Sequence, residues 1–155
     1  MNVEYVNPFI EASISVIKML CNIDSKMGKV YLKSSTNVFN QIIIIIGVVG
    51  KVKGQICFEM STETAKKIAS TMMGGTAVLE LDEISKSAIS EMGNMIMGNA
   101  STIFANKEIN INITPPSLLA GEKIEISNKF TTIVVPLELE SLGDINININ
   151  LEEVA

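Results

Sequence analysis

The sequence predicts an α+β domain in which long helices pack against a largely antiparallel β-sheet. Two observations support this prediction. Apolar residues recur at helical spacing near residues 8–21, 64–73 and 81–105, and they alternate with polar residues in stretches between and after these segments. The resulting order of a helix, strands, two helices and further strands is typical of α+β proteins.

The first helix is predicted to begin at Pro8, with Asn7 as its N-cap, and to end near Cys21 or Asn22. Glu11, in its first turn, is interpreted as a solvated carboxylate that the helix dipole favours. Four residues at helical spacing are expected to form the buried stripe: Ile10, Ile14, Ile17 and Cys21.

Three strands and a short helix are expected before the middle of the chain. After a turn at residues 26–29, the strands cover residues 30–33, 41–49 and 52–60, with a hairpin turn at Gly50 and Lys51. The helix covers residues 64–73. Ser61 or Thr62 would cap it, and Gly74 and Gly75 would end it.

The longest helix candidate covers residues 81–105 and divides into a polar stripe and a wide apolar arc. Steps of about 100° per residue from Glu91 place the stripe within about 100° of arc, and its other members are Ser90, Asn94, Ser87, Gly98 and Glu83. Nine residues are expected to be covered by other elements: Ile84, Ala88, Ile89, Met92, Met95, Ile96, Ala100, Ile103 and Phe104. Only the polar stripe is then available to solvent or to a partner.

The C-terminal third shows the period-two alternation of half-buried strands. Isoleucines alternate with polar residues over residues 109–113, 124–126 and 145–149. Pro136 interrupts the strand-like run 131–140, which predicts a bulge or an unpaired edge position. Residues 141–144 should turn the chain into its last strand.

The composition excludes several kinds of chemistry. The 155 residues have a net charge of −5 and contain no histidine, arginine or tryptophan. A histidine-based catalytic triad, a histidine metal site and an arginine finger from this chain are therefore impossible. The lysines are scattered and form no basic stripe, which argues against nucleic acid as a partner.

The remaining global features predict one cytoplasmic domain over residues 1–155. A hydrophobic content of 47% is sufficient for a substantial core, and no secretory signal opens the chain. The apolar run 42–49 is shorter than the roughly 18 residues that cross a bilayer, so no membrane association is expected. Cys21 and Cys57 are interpreted as buried reduced thiols.

Glu91 and Asn94 lie three residues apart on the polar stripe, so their side chains point the same way. A Glu-x-x-Asn pair is common by chance, and its weight comes from its surroundings. Ser87 lies four residues before the glutamate. Gly93 and Gly98 weaken the helix without an evident packing role. The downstream proline pair, Pro115 and Pro116, completes the group.

With these motifs the chain resembles the CheC and CheX phosphatases of bacterial chemotaxis. The signature is Ser87-x-x-x-Glu91-x-x-Asn94, with the proline pair about twenty residues later. The resemblance includes Met-Met-Gly-Gly at residues 72–75 and Ile-Thr-Pro-Pro-Ser-Leu-Leu-Ala-Gly at 113–121, and it covers nearly the whole chain. CheX-type members carry the pair once, as here, since the first helix has Ile14 where a second pair would need asparagine.

The resemblance implies a CheC-like fold with an internal duplication, a homodimer, and hydrolysis of the aspartyl phosphate on a CheY-like response regulator. Asn94 would position the attacking water, because a carboxamide can both accept and donate a hydrogen bond. Glu91 would pair with the active-site lysine of the regulator. No cofactor or metal is expected in this chain, since Mg²⁺ would belong to the regulator. Supporting roles, in docking or in holding the adjacent loop, are implied for Ser87, Gly98, Pro115 and Pro116.

Other classes of function remain open at this point. A non-catalytic module that binds a response regulator, as in flagellar-switch proteins, would not need both Glu91 and Asn94. A structural or oligomerisation domain would leave the polar stripe as a solvated surface. A free-standing metal enzyme is disfavoured, because Asp82 projects away from the other acids of the long helix.

Overall fold

The computed structural model describes residues 3–34 and 36–154, and it confirms the predicted α+β class. Within these residues a short 3₁₀ turn, Val3–Tyr5, is followed by the helices α1 (Asn7–Cys21), α2 (Thr62–Met72) and α3 (Glu83–Asn106). The strands are β1 (Ser25–Met27), β2 (Tyr31–Lys33), β3 (Thr36–Gly50), β4 (Val52–Met60), β5 (Ile111–Ile113), β6 (Ser117–Ser127), β7 (Thr132–Leu139) and β8 (Gly143–Glu153). The limits of the predicted domain, residues 1 and 155, lie outside the described residues.

The strands of the described residues form one eight-stranded sheet in which every pairing is antiparallel. Its main order is β1-β7-β8-β4-β3-β5, while β2 also pairs with β7 and β6 also pairs with β3. The hairpin of β3 and β4 turns at Gly50 and Lys51, as predicted. Gly50 has φ 134°, and an added Cβ would lie 2.6 Å from the carbonyl oxygen of Asn110, so this turn requires glycine.

The three helices contribute to one hydrophobic core with the sheet. Ile44, Ile46 and Phe58 of the central hairpin are fully buried in it. The ring of Phe9 in α1 meets the ring of Phe104 in α3 edge to face, with 5.3 Å between centroids. Burial of each of these side chains stabilises the fold by about 1.5–3 kcal/mol relative to leaving it exposed. A rotation of α3 that exposed Phe104 would lose this free energy, so the packing fixes the rotation of α3 about its own axis.

The first helix differs from its prediction at its start and in its buried face. Val6 is the N-cap residue instead of Asn7, and no side-chain hydrogen bond caps the helix. Ile10 and Ile14 are only half-buried, because the contact of Phe9 with α3 rotates the helix away from the predicted orientation. The buried residues of α1 are Pro8, Phe9, Ala12, Ser13, Val16, Ile17 and Cys21.

Polar caps set the starts of α2 and α3. The Ser61 hydroxyl accepts a hydrogen bond from the Thr64 N–H at 3.1 Å, which confirms the predicted cap, and α2 begins two residues before its predicted start. At α3, the Asp82 carboxylate accepts the Ser85 N–H at 2.9 Å and the Ser85 hydroxyl at 2.7 Å. These bonds from Ser85 hold the pKa of Asp82 below its ordinary value.

The edges of the sheet also differ in part from the predictions. Lys26 and Met27, expected in a turn, belong to strand β1 and pair with β7. Strand β5 starts at Ile111 because the Ile109 N–H is used to close α3, donating to the Phe104 carbonyl at 2.9 Å.

Pro136 lies where the pairing of β7 passes from β1 to β2. Its carbonyl accepts the Gly28 N–H at 2.9 Å, and its other neighbour in the sheet is Asn146 of β8. The N–H and the carbonyl of one residue in an antiparallel strand point to the same neighbouring strand. The donor that Pro136 lacks would therefore point to the side of β1 and β2, where the pairing is interrupted. The predicted bulge or unpaired edge position is therefore wrong: Pro136 has a neighbour on both sides and lies at the gap between β1 and β2.

No helix within the described part of the chain is long and apolar enough to cross a membrane. Cys21 and Cys57 are both free and buried, as predicted. Burial raises the pKa of both thiols, that of Cys57 to about 12, so neither is a nucleophile at neutral pH.

Candidate active site

The polar stripe of α3 lies on the side of the helix that faces away from the core. Glu91, Ser87 and Glu83 are exposed, and Asn94 and Gly98 are half-buried beside them. The side chain of Ser90 is also half-buried. The structure thus brings the predicted pair Glu91 and Asn94 together on one accessible surface, one helical turn apart.

The opposite side of α3 explains why this surface is held in place. Ile89, Met92 and Ile96 are at most 1% exposed against the sheet and the other helices. Gly93 lies among them, and an added Cβ would be 3.1 Å from Cγ2 of Ile44. The expectation that this glycine has no packing role is therefore wrong, because it lets α3 approach β3 closely.

Gly98 has a different environment from Gly93. A Cβ placed on Gly98 would meet no atom within 4 Å, so the surface beside Asn94 is open rather than filled by this chain's own side chains. Since glycine costs a helix interior about 1 kcal/mol relative to alanine, the residue is not there for helix stability. It leaves the surface flat next to the carboxamide.

Ile84 is a second correction. It was expected in the buried arc, but 68% of its surface is exposed. The reason is its spacing: seven residues of about 100° each bring it to about 20° from Glu91, two turns toward the N-terminus of the helix. It therefore belongs to the outer face of α3.

A groove of about 530 Å³ runs beside the first half of the stripe. It brings Glu91 and Ser87 of α3 together with Pro116, which lies 25 positions further along the chain than Glu91. Asn94, Gly98 and Pro115 are not part of its wall. The residues that line it are Glu83, Lys86, Ser87, Ser90, Glu91, Pro116, Leu118 and Ala120. Lys86 adds a cation that the sequence reasoning did not single out.

The proline pair is attached to the sheet by the residue before it. The Gly47 N–H of β3 donates to Oγ1 of Thr114 at 2.8 Å, and the Thr114 N–H donates to the Gly47 carbonyl at 3.0 Å. A Cβ on Gly47 would lie 3.0 Å from Cγ2 of Thr114, so glycine makes room for this bridge. The bridge fixes where Pro116 enters β6 and becomes a wall of the groove. Neither Gly47 nor Thr114 was predicted to have a role. A lone glycine within the apolar run 42–49 was a usable signal of a close approach at this position.

The polar ends of Glu91 and Asn94 remain available to a partner. Among residues 3–34 and 36–154, neither side chain has a hydrogen bond or an ion pair. A helix with a buried, close-packed inner face thus presents a free carboxylate and a free carboxamide outward. The pair can bind a cation and orient a small polar molecule of a partner without giving up internal bonds.

No cluster of three or more Asp, Glu, Cys or His side chains that could hold a metal occurs in the part of the chain that the structure describes. A separate cavity of about 450 Å³ contains Tyr5, Phe130 and Glu153, with the Tyr5 hydroxyl donating to Glu153 at 2.8 Å. This bond raises the pKa of Tyr5. None of the predicted site residues lies in that cavity.

Comparison with known proteins supports the resemblance found in the sequence. The model of the family described as "Chemotaxis phosphatase CheX" matches residues 42–138. The CheY-P phosphatase CheX of Thermotoga maritima is 29% identical over 152 residues, which cover 98% of each chain.

Solved structures show the same relationship. A chain of the CheX-CheY-BeF3-Mg²⁺ complex from Borrelia burgdorferi is 32% identical, with a TM-score of 0.82 over 98% of this chain and 100% of that chain. A CheC-like superfamily protein from Shewanella sp. PV-4 is 26% identical, with a TM-score of 0.86 over 98% of this chain and 99% of that one.

Proposed function

Since this chain belongs to the CheX family of chemotaxis phosphatases, we propose that Asn94 and Glu91 perform its activity on the aspartyl phosphate of a CheY-like response regulator. The observation that carries this assignment is the outer face of α3. It presents a carboxylate and a carboxamide one turn apart, neither of which has a partner among the described residues, on a helix whose inner face is buried in the core. A solvated surface does not require that combination.

The reaction is the hydrolysis of an acyl phosphate. The oxygen of a water molecule forms a bond to phosphorus while the bond from phosphorus to the aspartate oxygen breaks, and the products are inorganic phosphate and the free carboxylate. The regulator already holds the phosphoryl group, a divalent ion and a lysine. The remaining requirement is a water held in line with the breaking bond, which is a matter of position rather than of a shifted pKa.

Asn94 is suited to hold this water. Its Oδ1 can accept a hydrogen bond from the water while its Nδ2 donates one to it, so two contacts define the orientation. Asn94 is half-buried at the edge of the stripe, which restricts its side chain, and the open space at Gly98 lets a partner surface come close. Asparagine does not change its charge with pH, so this function has no titrating group in this chain.

Glu91 is suited to place Asn94. It is exposed one turn before Asn94, where it can form a charge-assisted pair with the lysine of the regulator's active site. Because the two residues share one helix, pairing at Glu91 sets the position at which Asn94 enters the cleft. Ser87, Pro116 and the other residues that line the groove complete the docking surface around Glu91.

The metal of the reaction belongs to the partner in this proposal. The related Borrelia burgdorferi structure contains CheX, CheY, BeF3 and Mg²⁺ together, which supports a CheY-like partner that brings its own Mg²⁺. A homodimer, implied by the family resemblance, and a cytoplasmic location, expected from the lack of a secretory signal at the start of the sequence, remain predictions.

The test is to incubate the protein with a panel of phosphorylated receiver domains in the presence of Mg²⁺ and to follow the loss of the aspartyl phosphate. At least one regulator should lose its phosphate faster than it does alone, and addition of excess EDTA should abolish the reaction. If every receiver loses phosphate only at its spontaneous rate, the catalytic assignment is wrong, and retained binding would then indicate a non-catalytic module.

A further inference from the structure

Ile84 is an exception among the isoleucines of α3. Ile89 and Ile96 are 0% and 1% exposed and Ile103 packs against the core, but 68% of Ile84 is in solvent. The fold explains why this position is exposed but does not require an apolar residue there, since a polar residue in the first turn would suit the helix equally well. A large apolar side chain on an otherwise polar helix face is typical of a contact site for another protein.

The position of Ile84 relates it to the proposed phosphatase site. It lies two turns before Glu91 on the same face, which is about 10 Å along the helix axis. An interface of ordinary size covers about 800 Å² on each partner and is therefore roughly 30 Å across. A regulator that places its active-site cleft over Glu91 and Asn94 must also cover Ile84.

The two directions along α3 from Glu91 are not equivalent. Toward the C-terminus the same face carries Gly98, Thr102 and Ala105, which are small, and Met95, which is half-buried against the core. Toward the N-terminus it carries Ile84, and the groove beside that half of the helix contains Lys86 and Ser87. The apolar contact of the partner is thus expected at the N-terminal half only.

We propose that Ile84 is the apolar anchor of the docking surface for the same response regulator, so that specificity is decided at a point about 10 Å along α3 from Glu91. This inference rests on the proposed function. It requires a receiver domain with an apolar patch at about that distance from the lysine that pairs with Glu91. Regulators whose corresponding surface is charged would be rejected even though their phosphorylation sites are chemically identical.

The test compares Ile84→Ser with Met19→Ser. Met19 lies on α1, is 64% exposed and has no predicted role, so it controls for removing an exposed apolar side chain from a helix. Affinity is measured by titration with a regulator carrying beryllium fluoride as a phosphoryl mimic, and turnover is measured with the phosphorylated regulator over a range of concentrations. Glu91→Lys is measured beside both variants.

Ile84→Ser should raise Kd and KM by about tenfold, the usual effect of truncating an interface anchor, while kcat at saturating regulator stays within about twofold. Met19→Ser should behave as the parent protein. Unchanged affinity of Ile84→Ser, when Glu91→Lys binds weakly, would overturn the anchor but leave the proposed function standing. If Glu91→Lys also binds normally, the proposed function itself fails. A change in self-association by sedimentation, with regulator affinity unchanged, would assign Ile84 to a second copy of this chain and also overturn the proposal.

Discussion

Replacing Asn94 by alanine should separate catalysis from docking and from folding. The side chain has no internal hydrogen bond in the described residues, so its removal leaves no buried group unsatisfied. Alanine is also the better helix former, by about 0.6 kcal/mol or less. The free energy of unfolding should therefore stay the same or rise slightly, and Glu91, Ser87 and the groove remain in place.

The expected loss of activity is much larger than any effect on the fold. Removing a positioned polar group from a reacting centre typically lowers the rate by about 10²-fold or more. At about 1.36 kcal/mol for each factor of ten, this corresponds to roughly 2.7 kcal/mol of transition-state stabilisation. Because Asn94 is not assigned a contact with the regulator's lysine, the affinity for the regulator should change by less than about threefold.

The matched control is Asn99→Ala. Asn99 is the same residue type on the same helix and is also half-buried, but it lies about 80° away from Glu91 on the other side of the helix face. Single-turnover loss of phosphate from a pre-phosphorylated regulator gives the rate, and titration with the beryllium fluoride complex gives the affinity. If Asn94→Ala hydrolyses within twofold of Asn99→Ala, the water-positioning role is refuted.

Three further substitutions test other parts of the site and fold. Glu91→Lys should weaken regulator binding by at least tenfold, because it places a lysine against the active-site lysine of the regulator. The difference in affinity between parent and variant should be smaller in titrations at 500 mM NaCl than at 50 mM NaCl, because salt screens the repulsion. Thr114→Val removes the acceptor of the Gly47 N–H at 2.8 Å, so KM should rise several-fold while kcat stays nearly unchanged. The control, Thr71→Val on α2, should have the KM and kcat of the parent. Equal kinetics for the two variants would count against the bridge. The pKa of Asp82 is lowered from 3.8 in the folded state, so its carboxylate stabilises the fold above pH 3.8 and loses this effect as the pH falls through the folded pKa. The urea midpoint of the parent should therefore exceed that of Asp82→Asn by more at pH 7 than at pH 2.5. A difference that stays constant with pH would contradict the role of Asp82 as a cap.

Much of the fold followed from local patterns. The hairpin at Gly50 and the Ser61 cap depend on residue type and on near neighbours, and both were confirmed. The errors arose where contacts between distant segments decide. The predicted buried stripe of α1 was right at Ile17 and Cys21 but wrong at Ile10 and Ile14. The contact of Phe9 with a ring 95 residues away sets the rotation of this helix.

Ile84 shows that spacing is a better guide than residue type on a helix surface. Its angle to Glu91 followed from the sequence by the same steps that placed Asn94, yet its apolar character favoured the buried arc. In the structure it is exposed, because its angle places it on the outer face of α3, away from the core that contains Ile89 and Met92. An apolar residue at a polar angle is itself a signal of a contact surface.

That Glu91 and Asn94 share one face of a helix could be predicted from the sequence, since helical periodicity depends only on the number of residues between them. That Pro116 lines the same groove as Glu91 could not, because its placement depends on the contact of Thr114 with Gly47, 67 residues away. The same holds for Gly93, whose need for a missing Cβ arises from Ile44 on β3. Spacing along one helix is set by local geometry, whereas contacts between segments depend on which strands pair and how closely the helix packs on them.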